Sequence, residues 1–295
     1  YSLLWSAVKI FRLHQNMRVE NDPEADEFKS FLLKIGNGTE KTINNDMIKV
    51  PDRIIIDWHN EQSIQTLIEQ VYLTLSIDSS NPMYFTDKAI LTTKNEYVDC
   101  INDTILNQLP NEGITYRSFD SVTDDTHNLY QQEFLNSINA SEIPPHELHL
   151  KINTPIICLR NLDPINGLCN GTKLICKAFN LNVIEAEIAT GNQRGRRIFL
   201  PQIPFMTSET RFPFTLKRKQ FPVKLAFAMT INKSQGQTIS HVGLYLPEHV
   251  FTHSQLYVAF SRVRSYRNIK VLIKNGKIPG RQGTYAKNVV YKEIL

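Results

Sequence analysis

The sequence lacks the short motifs that mark several large classes of metal proteins and enzymes. Its four cysteines include no C-x-x-C pair, which argues against a zinc knuckle or a disulfide framework and favours a reducing intracellular compartment. It contains no G-x-S-x-G elbow of the serine hydrolases. His146 with His149, and His249 with His253, have a spacing that a metal could use, but neither pair has a third ligand nearby. We therefore expect no metal site.

Long apolar runs and a phosphate-binding loop are also missing. No apolar run approaches the roughly 18 residues of a membrane-spanning helix, and residues 1–20 do not resemble a signal peptide, so no membrane partner is expected. The segment Gly167–Lys173 is close to G-x-x-x-x-G-K-[ST], but its glycines are one residue too close and its Thr and Lys are reversed. We interpret it as a turn. On its own, the chain is not expected to hold a magnesium-bound nucleotide.

Charge is unevenly distributed along the chain. The net charge is +4, yet residues 211–295 carry 15 Lys and Arg against two Asp and Glu, whereas residues 1–210 are acidic. A basic block within an acidic chain favours a polyanionic partner, because each neutralised phosphate releases counterions. The alternative is a basic carboxyl-terminal region that is merely solvated.

Hydrophobic periodicity predicts an α/β framework interrupted by short strands. Lys88–Leu91 is a predicted strand, residues 92–95 a polar loop, and Glu96–Leu109 a helix, an order that places the loop at the carboxyl edge of a parallel sheet. Ile114–Phe119 is a further predicted strand, followed by a polar excursion over Asp120–Thr126. From residue 148 to 203 the pattern changes to short β-like runs, which favour a small barrel or sandwich. Those runs are Pro155–Leu159, Thr172–Phe179, Val183–Ile188 and Arg197–Leu200. The predicted domains are 1–147, 148–205 and 206–295, with the second inserted into the α/β domain formed by the others.

Three segments carry recognisable chemistry: Phe11–Arg18, Phe221–Thr238 and Gln255–Ser265. The second is an apolar run that leads into a loop of hydroxyl, amide and glycine groups, which can bring N–H donors close to a phosphate. The third is a predicted helix with Arg262 at its end, where a guanidinium could contact a phosphate through two hydrogen bonds.

Together these segments resemble the second RecA-like half of a superfamily 1 DNA helicase of the petite-integration-frequency (Pif) family, which has relatives in helitron transposons. Gln15–Arg18 resembles the family's fourth motif, Lys233–Thr238 its fifth and Gln255–Arg264 its sixth. Leu159–Thr172 resembles the entry into the family's inserted barrel. The resemblance implies an α/β fold, namely a RecA-like parallel-sheet domain with an inserted small Src-homology-3-like β-barrel. The implied activity is ATP-dependent unwinding of DNA.

The resemblance also implies a division of labour over ATP and Mg²⁺. An amino-terminal RecA-like half, absent from this sequence, would hold most of both. Arg18 and Arg262 would act as catalytic residues at the γ-phosphate, and Gly236 and Gln237 would line the nucleotide cleft with them. The alternatives are a surface salt bridge for Arg18 and a helix-end charge for Arg262.

The implied nucleic-acid partners are single-stranded DNA and forked duplex DNA. Contacts to the single-strand backbone would come from the polar loop of the strand–helix unit, at Thr92, Thr93 and Asn95. The residues that would link that strand to the nucleotide cleft are Lys233, Ser234 and Gln235. The expected location is the nucleus, with the mitochondrion as the alternative.

Some observations leave other functions open. Asn232 stands where the family often has His, so a hydrogen bond survives there but a titrating group does not. Phe260 replaces the usual Leu, which conserves apolar packing. The chain starts at Tyr1 and enters an apolar run at once, which we interpret as a cut through a longer protein. The alternative functions are a catalytically inactive module that binds single-stranded nucleic acid, such as a degenerate transposon remnant, and a structural α/β interaction domain.

Overall fold

A computed structural model of the chain describes residues 23–44, 46–72, 82–123, 129–140, 143–207 and 212–294. The helices within these ranges are α1 Pro23–Gly36, α2 Gln62–Val71, α3 Asn95–Gln108, α4 Gln132–Ser137 and α5 Gln255–Phe260. The strands are β1 Thr42–Ile43, β2 Met47–Val50, β3 Ile55–Ile56, β4 Lys88–Thr92, β5 Gly113–Arg117, β6 Phe119–Val122, β7 Glu147–Lys151, β8 Pro155–Cys158, β9 Lys173–Phe179, β10 Val183–Ile188, β11 Arg197–Pro201, β12 Ile203–Met206, β13 Leu216–Gln220, β14 Val223–Leu225, β15 Ala228–Thr230, β16 His241–Leu246, β17 Ile269–Ile273 and β18 Thr284–Lys287. Across these described ranges, no helix has both the length and the apolar character to cross a membrane.

The centre of the α/β part is a five-stranded parallel sheet in the order β15-β4-β16-β17-β3. Because successive side chains of a strand point to opposite faces, Ala89 and Leu91 of β4 join the core beneath α1 and α5, while Ile90 joins the core beneath α2 and α3. Apolar layers therefore cover both faces, as a buried parallel sheet requires. The α/β fold and the strand–helix unit at residues 88–109 are confirmed.

The chain leaves this sheet after β4 and returns to it at β15, and most of the intervening residues form what we call the β module, residues 113–225. Its largest sheet is antiparallel, in the order β11-β10-β9-β8-β14. The pair β5–β7 packs over that sheet on a shared apolar core that includes Tyr116, Leu150, Cys176 and Phe221. All four β-like runs predicted between residues 148 and 203 are strands. Because β5 and β14 pair with β7 and β8, the β module extends beyond the predicted bounds of 148–205 at both ends.

A third sheet, in the order β12-β13-β6, differs from the sequence prediction. One strand was expected over Ile114–Phe119, followed by a polar excursion from Asp120. Instead the strand is broken at Ser118, whose N–H donates to the carbonyl of His146 (2.9 Å), and a new strand begins at Phe119. Asp120 made this strand look like a loop in the sequence because the residue is polar. In the structure its side chain points into the interior and pairs with Arg218 of β13.

The pair Arg218–Asp120 is fully buried and holds several elements of the β module together. Arg218 donates to both carboxylate oxygens of Asp120, through Nε at 2.9 Å and Nη2 at 2.7 Å. Its remaining donors reach the carbonyls of Leu135 (3.0 Å), Ile138 (3.0 Å) and Pro144 (3.1 Å). A buried ion pair is tolerated only when such extra hydrogen bonds satisfy the remaining groups. This arrangement ties β6, β13, α4 and the segment at Pro144 to one guanidinium.

Lys173 of β9 connects the β module to the parallel sheet. It is buried, and its Nζ donates to the carbonyls of Thr86 (3.3 Å) and Lys88 (3.4 Å), at the start of β4. Burial lowers the pKa of this lysine to about 8, partly opposed by the charge of Asp87. Since the ammonium is desolvated and held by two carbonyls, the contact fixes the position of β9 relative to β4.

We expect Arg218→Met to lower the free energy of unfolding by about 3–5 kcal/mol, because it leaves the buried carboxylate of Asp120 without its partner. Arg197→Met is the matched control, since the Arg197–Glu185 pair is exposed at its arginine and should contribute about 0–1 kcal/mol. Urea unfolding measures both. The double variant Arg218→Met with Asp120→Leu should recover much of the loss. Equal losses for Arg218→Met and Arg197→Met would contradict this assignment.

Candidate nucleic-acid interface

The two loops that the sequence singled out lie side by side at the carboxyl edge of the parallel sheet. Strands β4 and β15 are parallel neighbours, with Thr92 opposite Thr230, and the N–H of Ile231 donates to the carbonyl of Thr92 (2.9 Å). Parallel strands end at the same edge, where open α/β sheets bind their ligands. The loop that joins β4 to α3 is therefore adjacent to the loop that follows β15, residues 231–237.

In the first loop, two of the three predicted contact residues are buried and the third is partly accessible. The side chains of Thr92 and Thr93 are buried, and their hydroxyls find no hydrogen-bond partner among the described residues. The contact of Thr92 and Thr93 with a single strand stays a prediction, and the structure places both hydroxyls inside the loop. Lys94 is paired with Glu248 (2.6 Å). Asn95 is half-buried at the start of α3, where the first amides have no side-chain cap and are open to an anion.

The second loop is a 3-10 turn at Asn232–Ser234 followed by a type II turn. The N–H of Gln237 donates to the carbonyl of Ser234 (3.0 Å), Gln235 has φ −57° and ψ 134°, and Gly236 has φ +83°. This turn needs glycine at its third position because the left-handed conformation disfavours a Cβ. Ser234 is buried and donates its hydroxyl to the carbonyl of Ile231 (2.6 Å). Ser234 therefore shapes the loop, while Lys233 and Gln235 face solvent.

Arg262 follows α5 and donates hydrogen bonds to the backbone of this turn. Its side chain is buried, and Nη1 donates to the carbonyls of Ser234 (3.1 Å) and Gln237 (2.9 Å). Nε donates to the carbonyl of Val258 (2.8 Å), which is the helix-end contact of the alternative interpretation, and Nη2 to the hydroxyl of Ser261 (2.7 Å). A charge at the end of a helix is therefore only part of its role. The guanidinium joins the fifth and sixth motif segments.

The groups predicted to serve the nucleotide are only partly among the described residues. The predicted catalytic Arg18 lies outside the described residues. Four N–H directions of Arg262 are taken by the chain itself, and within the described ranges no group of three His, Cys, Asp or Glu could hold a metal ion. Gly236 is exposed, as are Lys233 and Gln235, so a ligand can approach this loop from solvent.

A cleft of about 250 Å³ opens beside the two loops, between α3, β7 and the β14–β15 connection. The predicted residues Asn95 and Lys233 line it. So do three residues that the sequence did not single out as a site: Lys224, Asp99 and Asp103. Partial burial lowers the pKa of both lysines, although Lys233 is exposed overall. Burial, and then the charge of Asp99, raises the pKa of Asp103.

The two aspartates could have been found from the sequence, because their i, i+4 spacing on a predicted helix places them on one face. Lys224 lies inside the conspicuous segment at residues 221–238, but the sequence alone does not say which of its residues face a cleft. The cleft combines hydrogen-bonding amides, both signs of charge and an apolar wall. It is suited to a polar ligand with one flat or apolar part.

Arg262→Gln should destabilise the chain by about 1–3 kcal/mol, because the buried carbonyls of Ser234 and Gln237 lose their donor. Arg264→Gln is the control on the same segment, since Arg264 is exposed. Urea unfolding of both variants checks the difference. If the two variants unfold alike, the buried hydrogen bonds of Arg262 do not stabilise the loop.

Comparison with known proteins agrees with the motif segments and the fold. Residues 133–179 match the family described as DNA helicase Pif1, 2B domain. The chain is 30% identical over 200 residues to the ATP-dependent DNA helicase PIF1 of Xenopus laevis, covering 64% of this chain and 28% of that protein. It is 32% identical over 189 residues to the PIF1 of Danio rerio, covering 62% and 27%. The chain thus spans little more than a quarter of these relatives.

Solved structures give the same indication for the fold. The crystal structure of Pif1 helicase from Bacteroides in complex with ADP-AlF3 and ssDNA superposes with a TM-score of 0.53 at 23% identity, covering 85% of this chain and 49% of that one. At this identity the likeness shows the fold, and the mixed α/β architecture with its parallel sheet fits a RecA-like domain. The resemblance to the Pif-type superfamily 1 DNA helicases, which the motif segments indicated, is confirmed.

Proposed function

We propose that this chain is the second motor half of an ATP-dependent DNA helicase, which couples ATP hydrolysis to translocation on single-stranded DNA and to duplex unwinding. The observation that carries the proposal is the junction at the carboxyl edge of the sheet. There a polar loop, a glycine-dependent turn and the buried Arg262 lie within one hydrogen-bonded unit. A movement at one loop is passed to the other through the bond between Ile231 and Thr92. This is what coupling a nucleotide cleft to a DNA strand requires.

In this proposal the DNA backbone contacts the polar groups of the junction that no other described side chain caps or pairs. Those groups are the side chains of Asn95, Lys233 and Gln235 and the uncapped first amides of α3. They are neutral donors and one positive charge, which suit phosphate without selecting a base. Thr92, Thr93 and Ser234 support the loops from inside. A fork is the natural duplex substrate of such a motor.

The nucleotide is held mainly by another RecA-like half, which supplies the phosphate loop and the Mg²⁺ ligands. When bound, that metal nucleotide supplies the reaction that drives movement. This chain contributes Arg18, Arg262, Gly236 and Gln237 to the face that closes on it. For Arg262 to contact a phosphate, its bonds to the turn carbonyls have to be exchanged, and this exchange would link closure to a change at residues 234–237.

The β module is proposed to contain the inserted Src-homology-3-like barrel of the family. Its support is the packing of the β5–β7 pair over the five-stranded antiparallel sheet on one core, together with the 2B-domain match. The domain division at 147/148 and 205/206 is kept as a proposal for the inserted unit. The proposed location is the nucleus, with the mitochondrion as the alternative.

A second candidate function is a catalytically inactive module that binds single-stranded nucleic acid. The observation that favours it is the engagement of Arg262 with the chain's own carbonyls, which gives this residue a structural role without any nucleotide. Both functions include DNA binding. They differ in ATP turnover of the full-length protein.

The isolated chain should bind oligothymidylate weakly and with a steep salt dependence. Each phosphate contact contributes a slope of about −0.7 in log K against log salt on single strands, so Lys233→Gln should reduce the slope by about 0.7. Lys277→Gln is the control, because Lys277 is also exposed but is paired with Asp57 (2.6 Å). Fluorescence anisotropy at several salt concentrations measures the slopes. Absence of binding at low salt would contradict the nucleic-acid assignment.

In the full-length protein, Arg262→Ala should lower ATP turnover on saturating single-stranded DNA by about 10³–10⁵-fold, the range of an arginine acting in trans on a phosphoryl group. Lys at this position should restore little, because a point charge cannot replace the planar fork.

Residues 1–295 alone should hydrolyse no ATP, because phosphoryl transfer relies on positioned phosphate and metal ligands.

The control for this experiment is Ser234→Ala, which loosens the same turn but leaves the guanidinium in place. If Arg262 acts only through the turn, the two variants should lose similar activity. Wild-type turnover of Arg262→Ala would exclude a phosphate contact by this residue.

A further inference from the structure

The outer face of the sheet β12-β13-β6 has a composition unlike the rest of the β module. Its basic triplet Lys217-Arg218-Lys219 lies within β13, and strand alternation separates the three side chains. Arg218 points inward to Asp120, and the two lysines point outward and are exposed. Hence the positive charge that the interior does not use is placed on a solvent-facing sheet surface.

Apolar side chains flank these lysines on the two neighbouring strands. Phe119 of β6 lies opposite Lys219 and is 72% exposed, and Met206 of β12 lies opposite Lys217 and is 55% exposed. The other outward positions on this face are Ser121 and Pro204, so it carries no acidic side chain. Neither lysine forms an ion pair with any described residue.

We propose that this outer face, defined by Phe119, Lys217, Lys219 and Met206, binds a single strand of nucleic acid. The lysines take two phosphates, and the exposed ring of Phe119 stacks on an unpaired base. The lysines are two residues apart on one strand, about 7 Å along it, which is comparable with the separation of neighbouring phosphates on an extended strand. Aromatic rings beside cationic groups on an open sheet surface are the arrangement by which such strands are held without sequence preference.

The two lysines favour a nucleic-acid strand over an apolar peptide as the ligand of this face. A protein partner for a face with two unpaired lysines would have to supply acidic groups at matched positions, whereas every nucleotide of a single strand brings a phosphate and a flat base. The proposal deepens the proposed function, since it adds a second contact for the same substrate class at a distance in sequence from the loops at residues 92–95 and 231–237.

Another exposed phenylalanine provides the matched control. Phe199 of β11 is 66% exposed, also in a strand of the β module, but its cross-strand neighbour is Glu185, which is paired with Arg197 (2.8 Å). An aromatic ring beside a carboxylate is a poor position for a phosphate backbone. Phe199→Thr therefore tests loss of an exposed ring without loss of the proposed surface.

The experiment measures binding of fluorescein-labelled oligothymidylate of 30 nucleotides by wild type, Phe119→Thr, Lys217→Gln/Lys219→Gln, Phe199→Thr and Lys233→Gln. We expect Phe119→Thr to weaken binding about tenfold, within the range of one base–aromatic stack. The double lysine variant should lower the salt slope by about 1.4. Phe199→Thr should bind like wild type. All these side chains are exposed, so thermal unfolding should stay at the wild-type temperature.

The variants separate this inference from the proposed function. If Lys233→Gln weakens binding while Phe119→Thr and the double lysine variant do not, the strand contacts the sheet edge alone and the inference is overturned; a face reserved for a protein partner gives the same result. If the outer-face variants weaken binding and Lys233→Gln has no effect, the inference holds and the contact proposed for the loops fails. Equal weakening by Phe119→Thr and Phe199→Thr would also overturn it.

Discussion

The structure depends on the parallel pairing of β4 with β15, two strands that lie side by side although residues 93–227 separate them in sequence. The pairing brings the loop after β4 against the loop after β15, and it requires both ends of the β module to converge on one edge of the sheet. Lys173 holds the module at the start of β4, and Asn102 of α3 accepts a hydrogen bond from the N–H of Ala228 (2.8 Å) at the start of β15. The pairing of β4 with β15 therefore fixes both where the β module is inserted and which two loops meet at the sheet edge.

Local patterns predicted the parts of the fold that are governed by local physics. The alternation and length of residues 88–109 and the four β-like runs between residues 148 and 203 were read correctly, because each contains its own hydrophobic period. Where a polar residue is buried by a distant partner, the pattern misled. Asp120 looked like the start of a loop since nothing near it in sequence reveals Arg218. Likewise, β14 belongs to the module through pairing with β8, which no local signal encodes.

The candidate site shows the same division. The sequence singled out both loops, but it indicated neither that they lie side by side nor which of their atoms face outward. Thr92, Thr93 and Ser234 looked like ligand contacts because hydroxyls commonly bind phosphate, yet burial assigns them to the interior of the loops. Arg262 looked like a free fork at a helix end, and the structure gives four of its donor directions to the chain. In the proposed function, this guanidinium exchanges its turn carbonyls for a phosphate, and two alternative sets of partners are the physical requirement of a switch.

The basic carboxyl-terminal region requires the same distinction between composition and position. Residues 211–295 contain 15 Lys and Arg. Arg218 and Arg262 are buried and form hydrogen bonds inside the protein. Three lysines form ion pairs with acidic residues from earlier in the chain, namely Lys274, Lys277 and Lys287. The acidic first part of the sequence thus neutralises part of the basic last part within the fold. Among the other described basic residues of this region, Lys233 lies at the junction, and Lys217 and Lys219 lie on the outer face of β13. In the proposed binding mode, lysines at these defined positions, and not the net charge of the region, determine where a phosphate backbone is held.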